Sequence, residues 1–424
     1  MSTRRRYGTA LIAGIAALSL LTSCSGGGAK SSAGSEDKLT FMMLGASQKS
    51  IEHIEKNVLP EFKKKTGVTV TLQTSDWGSA FQKYTTAAAS KQMADVVSLG
   101  AIWTAPLADK GALLDLGPYM DKWADKDKIF PELLKDGQWD GKQYSIPYGF
   151  DLRVPVYRKD LLEKAGVDTT KLPTTWEEFH QVALKVRDAG ICESPIFWGT
   201  DKSIGLQQGF AQLMMQNEAK YWKEDGTSNF SSPQAREALD FLVTSFKEGT
   251  ADYHLVYSGS GARPLVSGQS AMGLGSRNDY YNAESTNPEV AKQLLIGPAL
   301  VGPSASKGAA GAWINKLAIA KNSKNPDKAF EFISFLMEKD NLSAFDESYG
   351  VLPVRTDLAE ASWLGETGLQ LMALAKDAQS QPPHPGMMQF GGDINKLLDP
   401  AVRGSAGVDE TLAAIDEKLN AFGH

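Results

Sequence analysis

The chain has 424 residues, 42% hydrophobic and 22% charged, which is more than one core organises and implies two domains of ordinary globular composition. Its 44 basic and 50 acidic residues are interspersed and sum to a formal charge of −6, so no basic face for phosphates is visible and nucleic acid is not expected as a partner. The two cysteines cannot staple a chain of this size, and His53, His180, His254, His384 and His424 show no HExxH-type spacing, so neither an internal disulfide nor a metal centre nor a cofactor is expected.

The N-terminus has three parts: a charged start (Arg4, Arg5, Arg6), an apolar run from Ala10 to Leu21, and the ending Leu21-Thr22-Ser23-Cys24. That is the order of a secretory signal. The apolar run is shorter than the roughly 20 residues a membrane-crossing helix needs, so removal of residues 1–23 is expected. The ending resembles the lipobox of bacterial lipoproteins, which implies that Cys24 becomes the lipidated first residue and anchors the protein outside the cytoplasm. An ordinary signal cut nearby, with a free cysteine, is the other reading. Residues 24–36, opening Cys24-Ser25-Gly26-Gly27-Gly28, have the composition of a flexible tether.

Beyond the tether, short apolar strands alternate with amphipathic helices. Leu39–Leu44 reads as a strand, and Ile51, Ile54, Val58, Leu59 and Phe62 then recur at helical spacing until Gly67. Val68–Leu72 is a second strand, Phe81–Lys91 a helix, and Asp95–Leu99 a third strand. This alternation implies a parallel sheet with crossover helices. Past residue 150, Thr174 and Thr175 precede Glu177 and Glu178 at capping-box spacing and open a helix to Ala189. Ser232-Pro233 opens another helix toward Lys247, and Asn325-Pro326 a third through Met337. Ile196–Trp198, Ala271–Leu274 and Lys316–Ala320 are the strands expected between them.

Ligands of open α/β sheets bind beyond the carboxyl ends of strands. Trp77, Trp103, Trp198 and Trp313 stand near such ends, flanked by glycine, alanine or polar residues. Indole faces stack on the C–H faces of sugar rings, while carboxylates, amides and guanidinium groups take the hydroxyls. Any one of these tryptophans serves equally well as core filler. Asp151, where a strand leaves the first half of the chain, is placed to accept ligand hydroxyls, or simply to pair with Arg153. Arg277 and Asn278 are similarly placed donors, or members of a solvated loop.

Several stretches then carry a pattern, in order along the chain: Phe62-x3-Thr66-Gly67-x-Thr69-Val70, Leu107-Ala108-x2-Gly111-x-Leu113-x-Asp115-Leu116, Gly141-Lys142-x-Tyr144-x-Ile146-Pro147-Tyr148, and Leu172-Pro173-x-Thr175-Trp176-Glu177-Glu178-Phe179. Ala329-Phe330-x2-Ile333-x-Phe335-Leu336 and Gly350-x-Leu352-Pro353-x-Arg355 follow. Together they resemble the extracellular solute-binding proteins of carbohydrate ABC importers. The resemblance implies a two-lobe α/β fold, each lobe a mainly parallel sheet flanked by helices, with chain crossings near residues 149–152, 306–312 and 356–362. Lobe 1 would comprise residues 37–149 plus 312–358, and lobe 2 residues 150–311 plus 359–424. It implies a monomer that delivers a sugar to membrane permease subunits, with ligand roles for Gln48, Trp77, Trp103, Asp151, Asn278 and Trp313. Where relatives show Gly-Pro-Trp, this chain has Ser276-Arg277-Asn278, so Arg277 is expected to stand in for an aromatic platform. In the segment His384–Gly392, Phe390 is expected to replace stacked aromatics in part, which favours a mono- or short oligosaccharide. An anchored glycosidase is the enzymatic rival, although no carboxylate pair at the spacing that reaction needs can be nominated. A binding protein for a non-sugar solute is the third reading.

Overall fold

The chain is described by a computed structural model over residues 38–200, 205–257 and 262–422. The leader, Cys24, the tether through residue 36 and His424 lie outside the described residues. Three parallel strands open the fold: β1 (Lys38–Leu44), β2 (Thr69–Ser75) and β3 (Val96–Leu99), in the order β2-β1-β3. Between β1 and β2 the chain is helical through α1 (Gln48–His53), a π-helical turn (Ile54–Val58) and α2 (Leu59–Thr66). The Ser47 hydroxyl accepts from the Ser50 amide at the start, and Gly67, at φ 78°, ends the run in the left-handed conformation that glycine tolerates best.

The helix after β2 begins earlier than its apolar spacing suggests. The Asp76 carboxylate accepts from the Ser79 amide, so α3 (Trp77–Ala89) starts at Trp77, which the sequence alone leaves in a loop. After β3 comes α4 (Thr104–Asp109).

Three longer strands and one short one complete the main sheet path: β4 (Ile146–Arg158), β5 (Ser194–Phe197), β6 (Ser270–Gly275) and β7 (Ala310–Ile319). Ile146–Arg153 of β4 pairs antiparallel with Gly311–Leu317 of β7, and Val154–Tyr157 pairs antiparallel with β6. β7 also lies antiparallel to β3, whereas β5 and β6 are parallel. The path reads β2-β1-β3-β7-β4-β6-β5, with short strands Leu294–Ile296 beside β4 and Ala378–Gln379 beside β7. Pairing is thus parallel within each end of the sheet and antiparallel where β4 and β7 join the two ends. β7 starts six residues before the expected Lys316, because Ala310-Gly311-Ala312 carries no β-branched signal and is extended only by its ladder to β4.

The second half bears out its punctuation. α5 (Trp176–Ala189) has the Thr175/Glu178 capping box and ends at left-handed Gly190. α6 (Gly205–Gln216) and α7 (Pro233–Lys247) follow, the latter capped by Ser232. α8 (Arg277–Thr286), α9 (Pro326–Leu336), α10 (Lys339–Tyr349), α11 (Met387–Val402) and α12 (Val408–Asn420) complete the longer helices. Among the described residues, no helix is long and apolar enough to cross a membrane. Phe41 and Phe62 meet Phe332 edge-on at 5.5 and 5.1 Å in one core cluster, and Phe179, Phe210 and Phe230 anchor another.

One buried charge ties the sheet to the loop after β3. Lys316 is fully buried on β7, where its ammonium pairs with Asp136 and donates to the Ala101 carbonyl at 2.6 Å. Burial of a lysine is tolerable only when it is paired and hydrogen-bonded in this way. Removing one partner should therefore cost more than removing the charge itself. Asp136→Ala is expected to destabilise the fold by about 3–5 kcal/mol and Lys316→Met by less. Urea unfolding of both variants checks this, and equal losses would contradict it.

Candidate functional site

Antiparallel register places Trp313 opposite Asp151 and Gly311 opposite Arg153. Paired residues of a ladder share a face, so Asp151, Arg153 and Trp313 stand together on one side of the β4/β7 junction. The Arg153 guanidinium lies over the Trp313 ring, 4.3 Å from its centroid. Its Nη1 donates to Gln208 Oε1 at 2.7 Å, and its Nε reaches Asp151 Oδ2 only at 3.4 Å. The other oxygen, Asp151 Oδ1, is buried without a partner, as is Gln212 Oε1. Gln208 and Gln212 are one helical turn apart on α6, which brings both amides over the strand pair.

Gly311 makes this approach possible. A Cβ there would fall 1.8 Å from Gln212 Oε1 and 2.3 Å from the Trp313 ring. The cluster borders a cavity of about 160 Å³ whose lining includes Arg153, Gln208, Gln212, Phe197, Tyr257 and Arg263. Arg263 pairs with Asp279 at 2.8 Å, and that carboxylate, assisted by Asp151, holds the guanidinium pKa above its ordinary value. Asp279 also accepts from the Ser276 amide at the start of α8.

The aromatic pair forms a second group. Trp77 and Trp103 meet edge-on at 5.7 Å, and Tyr84 backs Trp103 at the same separation. Gly45, at the end of β1 with φ 61°, lets Trp77 close in, since a Cβ there would meet its indole nitrogen at 2.0 Å. Trp77 remains 37% exposed, so an apolar face stands open to a ligand.

The remaining expected residues sit elsewhere. Gln48 is exposed and donates to Glu52 at 3.0 Å. Its neighbour Lys49 lies 5.3 Å from the Tyr281 ring, and both line a separate cavity of about 350 Å³ with Arg277 and Trp363. Arg277 is buried, stacks on Trp363 at 5.1 Å and donates Nη2 to its carbonyl, while its Nε and Nη1 are buried without a partner. Asn278 is half-buried beside Gly350. Phe390 is 1% exposed and packed among Trp222, His384 and Phe422, so its ring is core. Trp198 is also buried, its indole N–H donating to Ser245 Oγ at 2.9 Å, but it lines the same cavity as Arg153 and Gln208. Gln208, Gln212 and Arg263 were not singled out from the sequence. The available signal was a set of four glutamines, Gln207, Gln208, Gln212 and Gln216, on a helix whose other side chains are apolar.

Comparison with known proteins places the geometry in context. A family model for bacterial extracellular solute-binding protein matches residues 45–342. A binding protein of Brucella abortus is 25% identical over 99% of this chain and 98% of its own length. The diacetylchitobiose binding protein DasA of Streptomyces coelicolor is 26% identical over 75% of this chain and 73% of its own. Among solved structures, an ABC transporter solute-binding protein of Thermotoga lettingae bound with α-D-tagatose matches with a TM-score of 0.79 at 22% identity, covering 91% of this chain and 99% of the other. That likeness establishes the two-lobe fold.

Two outcomes follow from the packing. Gly311→Ala should cost roughly 1–3 kcal/mol by overpacking, and the displaced Trp313 should alter the intrinsic fluorescence. Urea unfolding and emission spectra check this; wild-type values in both would mean that Gln212 and Trp313 do not crowd Gly311. Asp346 on α10 is fully buried, and neither carboxylate oxygen has a partner. Burial pushes its pKa well above the usual carboxylate range, against a smaller opposing pull from Arg277. The folded chain therefore holds this proton more tightly than the unfolded chain does. The stabilisation is complete below about pH 4 and is lost as pH rises through the raised pKa. Asp346→Asn should flatten the decline of stability above about pH 4, as read by melting temperature across pH. A slope equal to that of the wild type would contradict the assignment.

Proposed function

The chain belongs to the bacterial extracellular solute-binding proteins, and we propose that it captures a mono- or short oligosaccharide between its lobes and delivers it to the permease subunits of an ABC importer. The observation that carries this reading is the pair of buried acceptors without partners, Asp151 Oδ1 and Gln212 Oε1, beside the Trp313 ring. Buried acceptors cost free energy until a donor arrives, and the hydroxyls of a sugar supply donors next to an apolar ring face. The exposed Trp77, backed by Trp103, adds a stacking surface from the other end of the sheet.

In this reading the lobes are residues 37–149 plus 312–358 and 150–311 plus 359–424, and rotation about the crossing strands closes the cleft. A ligand that touches both lobes only when they meet shifts the population toward the closed form, which the permease then recognises. The protein acts as a monomer tethered by lipid on Cys24, and it binds its sugar without transforming it. The diacetylchitobiose and tagatose ligands of its relatives support a sugar as cargo.

A thermal-shift screen against mono-, di- and trisaccharides, with amino acids and polyamines included, tests the reading. Ligand bound only by the folded chain raises the melting temperature. A sugar recovered intact is the expected result. A sugar consumed would establish the glycosidase, and a response to a non-sugar alone would move the cargo to another solute class. Asp151→Ala is expected to lower affinity by roughly 10- to 100-fold with the fold intact, and Trp313→Ala to weaken it less. Wild-type affinity in both variants would remove them from the site.

A further inference from the structure

The cavity beside the β4/β7 junction has an uneven charge. Among the described residues that line it, the charged groups are Arg153 and Arg263, with the Asp151 carboxylate at its border beside Arg153. Gln208, Gln212, Tyr257 and Phe197 supply amides, a phenol and an apolar face. The first turn of α6, which opens onto the cavity at Gly205, contains no acidic residue.

Both guanidiniums are held from behind. Asp279 binds Arg263 Nε with one oxygen at 2.8 Å and accepts from the Ser276 amide with the other. Arg153 is fixed by its stack on Trp313 and its bond to Gln208, while its contact with Asp151 is long at 3.4 Å. A planar guanidinium whose orientation is already set loses little freedom on meeting a planar anion, and its fork matches a carboxylate. Asp151 and Asp279 partner these guanidiniums from behind, and a polyamine entering the cavity would meet the two positive groups.

We propose that the cavity lined by Arg153 and Arg263 receives the carboxylate of an acidic sugar, making the protein selective for uronates over the corresponding neutral sugars. The proposal rests on the sugar-binding reading and narrows it. Hydroxyls of the same ring donate to Asp151 Oδ1 and Gln212 Oε1, the two orphaned acceptors next to the arginines.

Isothermal titration of the purified full-length protein with D-glucuronate, D-galacturonate, D-glucose and D-galactose tests it. A uronate is expected to bind on the order of 10- to 100-fold more tightly than its neutral parent, with a preference that shrinks at high salt. Arg153→Gln and Arg263→Gln should each weaken uronate binding by a larger factor than binding of the neutral parent, so that most of the preference is erased. If either glutamine variant does not fold, Arg153→Lys, which keeps the charge and loses the fork, should still weaken uronate binding. Equal or tighter binding of neutral sugars overturns uronate selectivity and leaves the sugar reading standing. Binding of non-sugars alone overturns both, no response to either uronate overturns the proposal, and uronate binding indifferent to all three substitutions overturns its location.

Discussion

The ladder between Ile146–Arg153 and Gly311–Leu317 is the constraint on which the rest of the molecule depends. It is the seam where parallel strands from the start of the chain meet those from its middle, and its register alone sets Asp151 against Trp313 and Arg153 against Gly311. Slipping that register by one residue would send every one of these side chains to the opposite face. The binding chemistry is therefore written in strand pairing, and the helices refine it. α6 lays Gln208 and Gln212 over the seam, and the loop held by Lys316 carries Trp103 to its partner.

Local signals were legible in the sequence wherever one short stretch decides the conformation. The Thr175/Glu178 box and Gly67 satisfy backbone groups within a few residues, and the prolines after Ser232 and Asn325 remove a first-turn donor that would lack a partner, so their effect needs no tertiary knowledge. Ala310–Ala312 is the opposite case, being extended only because β4 lies beside it. Trp77 falls between, since Asp76 signals a cap but the strand-end reading drew it into a loop. Asp151 and Trp313 could be nominated singly from their places near strand ends. Their convergence with Gln212 and Arg263, which stand far apart in the chain, is a tertiary fact that no spacing encodes. Phe390 shows the converse, an aromatic in a plausible segment whose ring turns inward against Trp222 and Phe422.

The site and the core solve the same problem in opposite ways. Lys316 is buried and has partners, so it stiffens the fold. Asp151 Oδ1 and Gln212 Oε1 are buried without them, so they store an unmet demand that a ligand can answer. Glycine serves the same economy of space at two places in the sheet. Gly311 admits an amide and Gly45 admits an indole where any side chain would exclude them.

The place of β7 in the chain also bears on when the protein can fold. β3 has no neighbour on its inner side until Lys316–Ile319 arrive to pair with Val96–Leu99. The first three hundred residues to leave the ribosome therefore lack the strand that completes their sheet, and the nascent chain must wait for contacts of long sequence separation.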